Sequence, residues 1–132
     1  FLNIKLFSNI YLNMDKDTIE MVKRLNFENL IWVVFIVISV LDIYGDELIK
    51  KSLICGDKTS QKKADKLFLT LTAISIPIYI YFLSRNYKDC RKHHNKSYEV
   101  RYMGSIFVLI GTLCFLYFQL TTTRQTDSPS NV

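Results

Sequence analysis

Residues 102–123, YMGSIFVLIGTLCFLYFQLTTT, run for 22 positions without Asp, Glu, Lys, Arg or His. As an α-helix this run rises roughly 33 Å, against a hydrocarbon layer of about 30 Å. Arg101 and Arg124 bound it, where long cationic side chains reach back to the headgroups. A chain of 132 residues has the length of one domain and, in water, no core thick enough to enclose such a helix. The run reads as a membrane span, and lipid becomes the solvent against which the rest of the chain is judged.

Two further apolar blocks follow the same logic. Residues 67–84 (LFLTLTAISIPIYIYFLS) hold 18 uncharged positions, about 27 Å of helix. Pro77 falls at their middle and leaves the Ala73 carbonyl without its usual donor. Spans tolerate this by kinking and satisfying the group locally; a re-entrant turn at Pro77 is the alternative. Residues 25–44 (LNFENLIWVVFIVISVLDIY) carry Glu28 and Asp42 near the two ends, where a carboxylate costs less than at mid-bilayer. Their β-branched run also fits a buried strand in water, and only 29–41 is free of charge, but two longer charge-free blocks in one short chain favour a span. The expected class is all-α: an integral membrane protein with three transmembrane helices (25–44, 67–84, 102–123) in a small bundle with amphipathic extensions.

Local signals divide the remainder. Residues 15–24 suit a short interfacial helix, and residues 45–55 continue the first span to a stop at Gly56. Asp57, Thr59 and Ser60 offer N-caps for the next helix. The organisation is then an N-terminal segment 1–24, a membrane domain 25–123 and a disordered tail 124–132. Met14 is a candidate start, which would make 1–13 non-native. No cleavable targeting signal is recognisable.

Mean hydropathy is only +0.13, because charge is concentrated in 15–24, 46–66 and 85–101 and nearly absent between them. On a soluble fold the net charge of +5 would suggest nucleic acid. Flanking apolar blocks, the cations suit anionic lipid headgroups instead, and nucleic acid is excluded. Arg85, Lys88, Arg91, Lys92, Lys96 and Arg101 are the expected headgroup contacts. With three crossings, nine Lys and Arg from Met14 onward lie on the N-terminal side and seven on the other, which places the N-terminus in the cytoplasm by a narrow margin. Abundant Ile, Lys, Asn, Phe and Tyr suggest a low-GC bacterial genome and a multi-pass protein of the cell membrane.

Few residues suggest chemistry. Three cysteines, Cys55, Cys90 and Cys114, are widely spaced and imply no disulfide framework. Cys90, His93 and His94 are candidate metal ligands that would share one side of a helix, but a fourth ligand is missing and Arg91, Lys92 and Lys96 oppose a dication; no metal is expected. Ser39, Asp42 and Asp46 share a face at the end of the first span, and Thr72, Ser75 and Tyr79 line the second. Together they form a candidate intramembrane polar site, although such hydroxyls more often bond their own backbone or a neighbouring helix. Gly104 and Gly111 suggest a close-packed seam. With no Walker loop, HExxH, GxSxG or nucleophile–base set, neither an enzyme nor a cofactor is expected.

In layout, with residues 25–46 (LNFENLIWVVFIVISVLDIYGD) as its opening, the chain resembles uncharacterised small multi-span membrane proteins of low-GC Gram-positive bacteria. That resemblance implies no activity and no site. Three functions stay open: an accessory or immunity-like subunit that binds a membrane-protein partner or its own copies, a self-assembling pore former, and a permease subunit using Asp42. The second resembles holins in size, span number and the paired starts Met14 and Met21, while lacking their basic tail.

Overall fold

The computed structural model describes residues 15–127. They form three α-helices, α1 (Lys16–Cys55), α2 (Lys58–Lys92) and α3 (Lys96–Asp127), and no strand occurs among the described residues. All three are long and apolar enough to cross a membrane. The expectations for 1–13, for a start at Met14 and for 128–132 lie outside the described residues.

The breaks between helices have local causes. Gly56 adopts φ +66°, the left-handed conformation in which glycine ends a helix without a Cβ penalty. Asp57 then caps α2, accepting from Thr59 N at 3.0 Å and from Ser60 Oγ at 2.9 Å. Those bonds, the one from Ser60 first, hold its carboxyl below the usual carboxylate value. At the other turn His93 is extended (φ −116°, ψ 103°), and its ring stacks on Tyr98 at 4.9 Å between centroids. Asn95 starts α3, with Ser97 N donating to its Oδ1 at 3.3 Å.

Two boundaries differ from the sequence expectation, and one alternative is removed. Residues 16–24, expected as a separate interfacial helix, join the first span and its extension in one helix of 40 residues, about 60 Å long. Nothing in 16–44 breaks a helix, so its hydrogen bonding continues past both edges of the apolar block. α2 runs unbroken through Pro77, so the re-entrant turn does not form. α3 continues through Arg124 to Asp127, so 124–127 is helical rather than disordered.

The chain divides into two compact units, Phe1–Val37 and Ile38–Val132. In the first, Glu28 and Ile31 are buried, and Arg24 Nε lies 3.9 Å from Glu28 Oε1. The second holds the end of α1 and an antiparallel hairpin of α2 and α3, joined by the three residues between them. Near its turn Asn86 Nδ2 donates to Ser105 Oγ, and the rings of Tyr87 and Tyr102 lie 5.5 Å apart.

Glycine spacing misplaced the close contact. A Cβ at Gly104 or Gly111 would meet nothing within 4 Å, so neither forms a packed seam. Gly45 does make a close approach: a Cβ there would stand 2.6 Å from Cζ of Phe68 on α2. Gly45→Ala gains roughly 0.5–1 kcal/mol of helix propensity, which the displacement of the Phe68 ring offsets. In a Phe68→Leu background the same substitution is stabilising. A double-mutant cycle read by detergent unfolding tests this change of sign.

The apolar side chains face outward. Leu30 (65% exposed), Ile36 (63%) and Phe107 (66%) are typical, and no large side chain is fully buried among the described residues. In water such a surface would cost about 25 cal/mol for each Å² left wet. Lipid removes that cost, and the hydroxyls follow suit: Thr70, Ser75, Ser105, Thr112, Thr121 and Thr122 each donate to the carbonyl four residues earlier. A hydroxyl tied to its own helix exposes no donor to hydrocarbon.

Candidate functional site

Asp42 is half-buried on α1 and exposed Asp46 follows one turn later. Among the described residues Asp42 has no hydrogen-bond or ion-pair partner. Ser39, one turn before it, is exposed. On α2, Thr72 and Tyr79 are half-buried, while Ser75 is buried with its hydroxyl donated to Leu71 O at 2.9 Å. Ser75 therefore satisfies its own helix. Neither a hydrogen bond nor an ion pair joins Asp42 to Thr72, Ser75 or Tyr79.

The metal candidates are spread by the end of α2. Cys90 lies in the helix, whereas His93 caps it in extended conformation and His94 falls in the turn. The shared helical face therefore does not exist. Among the described residues no group of three His, Cys, Asp or Glu side chains gathers to hold a metal ion.

The cationic residues cluster around the α2–α3 turn. Lys88, Arg91, Lys92, Lys96 and Arg101 are exposed, and Arg85 is half-buried. The Arg85 guanidinium lies 5.3 Å from the Phe82 ring centroid. Arg91 reaches Tyr87 Oη at 3.3 Å and its ring centroid at 5.7 Å. Such cation–π contacts hold the guanidiniums beside aromatic faces at the edge of the apolar block.

A second feature, which the sequence did not suggest, lies at the opposite end of the hairpin. A groove of about 800 Å³ opens there, wholly within the second unit. Gln61 and Asp65 of α2 with Gln119 and Thr122 of α3 line its polar part. Phe68, Gly111, Phe115 and Phe118 line its apolar part. Gln61 Nε2 donates to Asp65 Oδ1 at 3.1 Å, while Asp65 Oδ2 is buried with no hydrogen-bond partner among the described residues. Size and lining are those of a small-ligand site. In the sequence Asp65 is one more charge in a polar first turn (QKKADK), and only the hairpin register brings it to α3.

No protein-family model, curated protein or solved structure matches this chain.

Proposed function

We propose that the chain is a non-catalytic integral membrane protein that binds a partner protein within the bilayer, as an accessory or immunity-like subunit. The observation that carries this reading is Asp42, a half-buried carboxylate near the end of the first apolar block with no partner among the described residues. An acid in that position is costly unless a donor meets it, and a cationic or amide side chain on another protein's helix would do so. The outward apolar faces supply the rest of such an interface. The basic end of the hairpin serves to anchor the protein at anionic headgroups.

Crosslinking in the source membrane tests the reading. One stable partner is expected with the natural chain, and Asp42→Leu should reduce its recovery severalfold at equal protein level. Dye leakage on overexpression would favour the self-assembling pore instead. A solute flux lost in Asp42→Asn with unchanged protein level would favour the permease subunit.

A further inference from the structure

We propose that the groove between α2 and α3 binds an ethanolamine-type phospholipid, whose zwitterionic head ends in a primary ammonium. Its two parts are ordered by depth. Gln61 and Asp65 precede the apolar block of α2 and Thr122 closes that of α3, so the polar part sits at the membrane boundary. Phe68, Gly111 and Phe115 lie toward the bilayer interior. Open space over Gly111, with nothing within 4 Å of a Cβ there, leaves room for an acyl chain.

Any lipid tail fills the apolar part, so selection falls to the head. The polar part holds one carboxylate, with an oxygen to offer. Asp65 Oδ2 is buried and unbonded among the described residues. Gln61 gives one amide N–H to Asp65 Oδ1, which leaves the other oxygen of that carboxylate for a ligand. Thr122 donates its hydroxyl proton to Phe118 O at 2.9 Å, so its oxygen can only accept. A buried carboxylate oxygen with no partner selects a cation that carries N–H donors. Ethanolamine has three such N–H groups, choline has none, and an anionic head without an ammonium is repelled. Lys66 follows Asp65 along α2 and is exposed, supplying a cation for the adjoining phosphodiester.

The test uses the purified chain in vesicles of unlabelled phosphatidylcholine, with Trp32→Phe removing the single tryptophan and Phe118→Trp placing an indole in the groove. A small fraction of phosphatidylethanolamine brominated in its acyl chains is added, or brominated phosphatidylcholine in parallel. The ethanolamine lipid should quench as though enriched at least about fivefold over its bulk mole fraction, on the scale of one charge-assisted hydrogen bond. The choline lipid should quench at its bulk fraction. Successive N-methylation of the head should lower the enrichment and abolish it at choline, a series that needs no further change in the protein. Asp65→Asn should lose the enrichment and Asp65→Glu keep it, with helicity checked by circular dichroism. Equal quenching by the two lipids overturns the proposal, as does a preference that survives in folded Asp65→Asn. Weak quenching by both would show a second copy of the chain covering the groove, and also overturns it. Because no partner protein is present, failure here leaves the reading built on Asp42 untouched.

Discussion

Leu113→Asp should leave α3 largely uninserted. Leu113 is close to the middle of the 22-residue uncharged run and is 46% exposed. On insertion scales Asp at a span centre costs roughly 2.5–3.5 kcal/mol, while Leu contributes about −0.3 to −0.6. The change of roughly 3–4 kcal/mol shifts the insertion equilibrium by a factor of order 10² or more. In water the same replacement would do the opposite, since exchanging an exposed Leu for Asp removes wet apolar surface and aids solubility. The sign of the effect therefore reports the solvent. Alkaline carbonate extraction, with glycosylation acceptor sites placed on either side of α3, reads it out. Should Leu113→Asp cross as efficiently as the natural chain, α3 is not lipid-facing and the membrane reading fails with it.

What the sequence discloses, and what it conceals, follows from the range of each cause. The apolar blocks 25–44, 67–84 and 102–123 are visible because a mostly apolar run of sufficient length is a local property. The stop at Gly56 and the cap at Asp57 are visible because one residue's backbone freedom and one side-chain acceptor decide them. Helix ends are less visible: α1 begins at Lys16 and α3 reaches Asp127, beyond the apolar blocks that announce them. Charge marks where lipid stops, not where the helix stops. The groove and the Asn86–Ser105 bond are invisible for a further reason. Both depend on the register of α2 against α3, set by a turn at 93–95 inside a uniformly polar stretch, 85–101. Once the turn is fixed, Asn86 meets Ser105 near it, and Asp65 and Gln119 line the same groove far from it. Gly45 shows the same limit: its importance lies in Phe68, a residue on another helix.

That register gives the second prediction its unequal outcomes. Asn86 is 6% exposed and donates Nδ2 to Ser105 Oγ, while its Oδ1 is buried with no hydrogen-bond partner among the described residues. Ser105 has another bond, donating to Arg101 O at 3.1 Å. Ser105→Ala thus strips the amide of the acceptor for its N–H and leaves both ends of a buried polar group unmet, at a cost of about 1–3 kcal/mol. Asn86→Leu removes the whole amide, including the oxygen already unsatisfied, and leaves Ser105 bonded to its own helix. With similar volume at the site, that substitution should be neutral or stabilising. The double variant should recover most of what Ser105→Ala loses, because no orphaned amide remains. Unfolding of the three variants in detergent, compared as a double-mutant cycle, measures the asymmetry. If Asn86→Leu proves the more damaging, the amide does more for the hairpin than its one bond accounts for. The turn-proximal end of α2 and α3 would then be held by polar specificity rather than by packing.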